Sequence, residues 1–245
     1  MAARTPARQA IGRQSADNLP ENSGIADGPM IPRSSLRPNP RLYILAAVAS
    51  DAAPLTENLC EIFRATDVAA VLLRLRDADE RSLINRVKAA APSVQAAGAA
   101  LLLDGRPDIV ARSGADGAHL GGPEALQAAV RTLKPNYIAG AGSLRSRHDA
   151  MVAAEAGADY VMFGEPDAAG HTPSRDAVID RIAWWAELFE IPCVGYATAL
   201  DDIDALVTAG ADFVAVGEAL FDDPRGPEAA AADAAARLSL AEPAT

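Results

Sequence analysis

One short phrase occurs three times in the chain: GADGAHLG from Gly114, GADYVMFG from Gly157 and GADFVAVG from Gly210. A blurred fourth copy, ATDVAAVLL, starts at Ala65. Each copy follows an amphipathic stretch and precedes an apolar run. A glycine there ends a helix in the left-handed conformation, which only glycine enters without strain. The Asp makes the turn, and the apolar run enters a sheet covered on both faces. The phrase therefore reads as the helix-to-strand joint of a βα repeat.

From Arg41 onward the elements alternate regularly. Strands are expected at Arg41 to Val48, Val68 to Leu75, Ala99 to Leu103, Gly117 to Leu120, Tyr137 to Gly140, Tyr160 to Phe163, Cys193 to Tyr196 and Phe213 to Val216. Helices are expected between them, among them Asp79 to Ala97, where Leu83, Val87 and Ala90 share a face, and Leu200 to Ala209. Eight strand–helix units with short connections predict an α/β fold, a single (β/α)8 TIM barrel over residues 41–240. A doubly wound open sheet would place a Gly-rich phosphate loop after the first strand, and AVASDAAP has none.

Residues 1–40 carry no apolar periodicity and read as a disordered extension with five Arg against three acids. Met30 is a second possible start of translation. The net charge of −11 argues against nucleic acid or an anionic membrane as the main partner. No apolar run approaches the roughly 20 residues that span a bilayer, and no apolar segment of signal-peptide type precedes the first strand. A cytoplasmic protein is the expectation, with a homo-oligomer left open. Cys60 and Cys193 are expected to be buried small hydrophobes.

Chemistry in such a barrel gathers at the C-terminal ends of the strands. Those ends supply Arg74 and Arg76, Asp104, His119, Ser143 and Arg145, Glu165 and Asp167, Tyr196 and Thr198, then Gly217 and Glu218. Alternation along strand two is expected to bring Arg74 and Arg76 together at the top of the bore. There they would meet neighbouring carboxylates or the phosphate of a ligand. His119 reads as a packed, hydrogen-bonded residue, His148 as exposed. Of Trp184 and Trp185, one ring is expected beneath the outer layer.

Residues 41 to about 224 resemble the thiamine phosphate synthase family and its sister thiazole tautomerases. The resemblance is carried by LYIL, the R-x-R ending strand two, GADGAHLG, the Gly and Ser after strand five, EAGADYVMFG, IPCVGY and AGADFVAVGEALFDDP. It implies a phosphate-binding barrel joining a hydroxymethylpyrimidine pyrophosphate to a thiazole phosphate, with Mg²⁺ and loss of pyrophosphate. The implied catalytic residues are Arg74, Arg76 and Ser143. Substrate-binding roles fall to His119, Arg145, Glu165, Tyr196, Thr198, Gly217 and Glu218, and the metal positions to Asp104 and Glu124.

The chain departs from the family pattern at several of these places. Leu72 stands for the family Gln and Arg76 for Lys, and Gly105 takes the place of a metal-binding Asp. Arg145 replaces the tautomerase His, and EPDAAGHTPSR replaces the pyrophosphate-gripping loop, with His171, Thr172 and Arg175 as partial substitutes. Ala197-Thr198 replaces a Gly-Gly, and Glu218 replaces a phosphate-binding Ser. Three readings follow: an active synthase; a family barrel that binds a thiamine-related ring or a protein partner without the synthase step; and a tautomerase-like acid–base enzyme. The third would use Glu165, Asp167, Glu218 or His119, with one carboxyl pKa raised by crowding.

Overall fold

The structure, a computed structural model, describes Ile11 and residues 39–48, 52–167 and 170–239. Eight parallel strands close in sequence order into one barrel. They are β1 (Arg41–Val48), β2 (Val68–Leu75), β3 (Ala100–Asp104), β4 (Gly117–Gly121), β5 (Ile138–Gly142), β6 (Tyr160–Phe163), β7 (Cys193–Ala197) and β8 (Phe213–Val216). Around them run α1 (Ala53–Ala65), α2 (Glu80–Ala96), α3 (Val110–Ser113), α4 (Pro123–Leu133), α5 (Arg147–Glu155), α6 (Arg175–Leu188), α7 (Ile203–Thr208), α8 (Glu218–Phe221) and α9 (Pro227–Ser239).

The period of two along each strand builds two apolar layers. Tyr43, Leu45, Leu72, Leu102, Met162 and Phe213 line the ring interior. Leu42, Ile44, Val71, Leu73, Leu101 and Leu103 face the helices. Helices answer with the period 3.6: Leu55, Leu59 and Ile62 of α1, and Val178, Ile182 and Trp185 of α6, are the buried positions. Each such side chain contributes about 1.5–3 kcal/mol by leaving water. Trp185 is fully buried and donates Nε1–H to the Ile191 carbonyl at 2.7 Å, while Trp184 is partly exposed beneath the Arg147 guanidinium.

The repeated joint does more than turn the chain. Gly114, Gly157 and Gly210 have φ of 83°, 99° and 96°, the left-handed values the phrase predicts. The following Asp then bonds the first residues of the neighbouring strand in both directions. Its N–H donates to a backbone carbonyl there, in the pairs Asp116–Leu101, Asp159–Ala139 and Asp212–Cys193. Its carboxylate accepts the N–H of those same residues at 2.9, 2.8 and 2.9 Å. In the fourth copy Asp67 grips the Arg41 side chain at the start of β1 instead.

Some expectations need correction. Cys60 is exposed, because it lies on the solvent side of α1, whereas Cys193 is buried. The helix expected over Leu200 to Ala209 begins as a 3₁₀ turn, Leu200–Asp202, before α7. The short α8, nucleated behind Gly217, was not anticipated. Of the expected 1–40 extension, Ile11 is helical, 2 % exposed and part of the ring-interior cluster. The rest of that segment through residue 38, Met30 included, lies outside the described residues.

Candidate active site

The inward register of β4, β5 and β6 brings His119, Gly140, Gly142 and Tyr160 to the ring interior. Gly140 pairs with Tyr160 across the ladder, and a Cβ on Gly140 would overlap the Tyr160 ring. A Cβ on Gly142 would overlap Glu165 Oε1 and His119 Nε2. The two glycines of IAGAG thus hollow a slot, and a continuous polar chain fills it. Tyr43 Oη lies 2.8 Å from Tyr160 Oη, and Tyr160 Oη 2.8 Å from His119 Nδ1. His119 Nε2 lies 3.0 Å from Glu165 Oε2. Glu165 Oε1 accepts the backbone N–H of Ser143, and the Ser143 hydroxyl lies 3.2 Å away.

His119 is 1 % and Glu165 7 % exposed. Among the described residues no buried side-chain polar atom lacks a partner, which is what makes so much buried polarity tolerable. Burial opposes the His119 charge, but the Glu165 carboxylate outweighs it and raises the imidazole pKa above 6.5. Burial likewise favours a neutral Glu165, but His119 and the Ser143 N–H hold its carboxyl below 4.5. The crowding expected to raise a carboxyl pKa is therefore overturned for Glu165, because its nearest partner is a base and not another acid. Burial pushes both Tyr43 and Tyr160 well above the ordinary phenol value, so both remain hydroxyls. An ionised carboxylate only accepts, so His119 Nε2 carries a proton in either ring state. In the neutral ring Nδ1 then accepts from Tyr160, and Tyr160 from Tyr43.

Arg74, half-buried, donates Nε–H to Asp104 Oδ2 at 2.8 Å. Arg76 does not join it on the inward face. Strand β2 ends at Leu75, so the alternation stops short, and Arg76 is exposed with its carbonyl taken by Arg86. Ser143 is exposed and has φ of 52°, the one described non-glycine in the left-handed region. Arg145 is exposed, its N–H held by Asp149 and its carbonyl by Arg181. Tyr196 is half-buried, and burial raises its phenol pKa, with Arg74 and Glu218 close enough to be felt. Thr198 is exposed and bonds Asp202 through both N–H and Oγ. Gly217 is buried, and Glu218 is exposed at the first position of α8. No ion pair joins Glu218 to Arg74 or Arg145 among the described residues.

The residues expected to hold Mg²⁺ do not form a cation site. Asp104 is engaged by a guanidinium, Gly105 offers no side chain, and Glu124 is exposed on the first turn of α4. No group of three or more His, Cys, Asp or Glu among the described residues could hold a metal ion. In the substitute loop after β6 the His171 imidazole lies 3.5 Å from Asp167, while Arg175, at the start of α6, pairs with Asp202 of the turn after β7 at 3.2 Å. A concavity of about 550 Å³ lined by Thr56, Glu57, Asn85 and Arg86 lies between α1 and α2, in the outer layer.

Residues 42–220 match the family model described as thiamine monophosphate synthase. The chain belongs to this family. It is 40% identical over 196 residues to a thiamine-phosphate synthase of Rhodospirillum centenum, covering 79% of this chain and 95% of that protein. It is 35% identical over 205 residues to the one of Hyphomonas neptunium, covering 79% and 91%. Among solved structures, a thiamine phosphate pyrophosphorylase from Pyrococcus furiosus superposes with a TM-score of 0.70 at 23% identity, over 85% of this chain and all of that one. An orotidine 5'-phosphate decarboxylase from Pyrococcus horikoshii reaches 0.59 at 14% identity, over 81% and 99%. At these identities the two structures speak for the barrel alone. Within the thiamine monophosphate synthase family, this member carries a buried Tyr43–Tyr160–His119–Glu165 chain that the sequence reading missed as a unit. The available signal was the pair of inward glycines in IAGAG, which announces bulky neighbours.

Proposed function

We propose that this protein joins a hydroxymethylpyrimidine pyrophosphate to a thiazole phosphate, releasing pyrophosphate. The observation that carries the reading is the Arg74 guanidinium at the C-terminal end of β2, half-exposed beside Asp104 and near enough to Tyr196 and the His119–Glu165 pair to bear on their charge. In the reaction the bond between the pyrimidine methylene carbon and the pyrophosphate oxygen breaks, and the oxygen keeps the electron pair. The thiazole nitrogen lone pair forms the new carbon–nitrogen bond, leaving a thiazolium cation. Arg74, with Arg76 and Arg145 at the rim, favours the charge that grows on the departing pyrophosphate, where fixed positive groups act most strongly. Ser143 and Tyr196 orient the rings. No step is assigned to a metal, since the donor set described above does not fit one.

A barrel that binds a thiamine-related ring without the synthase step is the second reading. It is favoured by the commitment of Arg74 Nε to Asp104 and by the exposed carboxylate of Glu218 where the family resemblance expects a phosphate-binding Ser. A cytoplasmic setting belongs to this reading: Cys60 and Cys193 form no disulfide with each other, and no helix among the described residues is long and apolar enough to cross a membrane. Incubating the purified protein with both precursors, with and without magnesium chloride, decides between the readings. Thiamine phosphate formation supports the first. Ring binding with no product in either condition supports the second.

A further inference from the structure

Arg147, Met151 and Glu155 recur every four residues along α5 and so form one stripe of its surface. All three are exposed, and the stripe reads positive, apolar, negative. Arg147 opens the helix and Glu155 closes it. That order is the reverse of what the helix dipole favours, which is an anion at the N-terminus and a cation at the C-terminus. The stability of α5 itself therefore does not account for these charges, and its start is secured instead by the Ser146–Asp149 capping box. Among the described residues neither Arg147 nor Glu155 pairs with an opposite charge.

Helix α6 lies beside this stripe. The Arg147 guanidinium sits 4.9 Å from the centre of the Trp184 ring, and Arg181 donates to the carbonyls of Leu144 and Arg145 just before α5. One turn beyond the Arg147–Trp184 contact come Met151 on α5 and Leu188 on α6. They are the two large hydrophobic side chains exposed among the described residues, at 39% and 62%.

We propose that a second copy of this chain docks here, the two α5 helices meeting antiparallel about a two-fold axis at Met151. A two-fold contact sets one patch against itself and so requires that the patch complement itself. With the axis at Met151, Arg147 of each copy meets Glu155 of the other, each about 6 Å along the helix from the axis. Met151 and Leu188 then leave water together. A basic partner would meet Arg147 and an acidic one Glu155, whereas the same stripe turned about answers both. The net charge of −11 repels a second copy at long range, so the contact rests on pairs in register and not on general attraction.

Sedimentation of the full chain over a concentration series up to about 100 μM, above the micromolar range in which modest interfaces associate, tests this. The mass should pass from one chain to two. Met151→Asp sets two carboxylates on the axis and should weaken association at least about 10-fold. Arg147→Glu and Glu155→Arg each set like charges opposite one another twice per dimer and should each weaken it about 10-fold. The double reversal R147E/E155R restores the pairing with signs exchanged and should recover most of that loss; both charges then also suit the helix dipole. Thermal midpoints of the dilute, monomeric variants separate lost association from lost fold. A single-chain mass at every concentration, which would leave the face to some other protein, overturns the proposal. So does a dimer untouched by Met151→Asp, or a double reversal that associates no better than the single ones.

Discussion

His119 Nε2 lies 3.0 Å from Glu165 Oε2 with both side chains almost wholly buried, and this pair gives the fold a distinctive pH response. The His119 pKa is raised by Glu165 against the effect of burial, so its contribution to stability is complete below 6.5 and is lost as pH rises through the raised value. The Glu165 pKa is lowered, so its contribution is complete above 4.5 and is lost as pH falls through the lowered value. Thermal midpoints measured across pH for the wild type and Glu165→Gln should differ most between about 4.5 and 6.5, with the gap closing on either side. Parallel profiles would contradict the pairing.

Tyr160 is the middle of the chain and Tyr43 its end. Tyr160→Phe deprives both Tyr43 Oη and His119 Nδ1 of their partner, whereas Tyr43→Phe leaves Tyr160 bonded to His119. Leaving a buried polar group unsatisfied costs about 1–3 kcal/mol. Urea denaturation should therefore find Tyr160→Phe the more damaging by roughly that amount. Equal losses would mean that the two hydroxyls do not act in series.

Gly142 and Gly121 lie on adjacent strands in register, yet an added methyl should affect them differently. At Gly142 it would overlap Glu165 and His119; at Gly121 it would reach ordinary contact, 3.7 Å from Ser143 Oγ. Gly142→Ala is expected to cost on the order of 3 kcal/mol, the upper range for overpacking a filled core, and Gly121→Ala less than about 0.5 kcal/mol. Melting curves of the two variants check this directly.

The repeated Asp predicts a second contrast. Asp212→Ala strips the Cys193 N–H of its carboxylate acceptor at the foot of β7, a loss of about 1–3 kcal/mol. Asp67→Ala, whose carboxylate serves an exposed ion pair with Arg41, should cost distinctly less. Denaturation midpoints that rank the two in the opposite order would refute the strand-tying role.

Glycine followed by Asp, recurring before apolar runs, made the eight-fold alternation and closed barrel legible, because that phrase encodes a backbone conformation and a burial pattern at once. The site was legible only as a set of strand ends. Arg74 next to Asp104, and His119 as a packed and bonded residue, follow from period-two alternation. Arg76 escaped the pattern because the strand ends one residue before it. The inward chain from Tyr43 to Glu165 was hidden because its members are far apart in sequence, 117 residues in the case of Tyr43 and Tyr160. Only closure of the ring brings them together. The Asp carboxylates read as turn-makers because their real partners belong to a neighbouring strand, which local sequence does not name.

Pyrophosphate release is the most direct test of the synthase assignment. With the pyrimidine pyrophosphate supplied, the protein should release pyrophosphate and form thiamine phosphate in equal amounts only when the thiazole phosphate is also present, and Arg74→Gln should slow both together. Finding neither product from the wild-type protein with both precursors, or finding the yield untouched by loss of the Arg74 charge, would contradict the account.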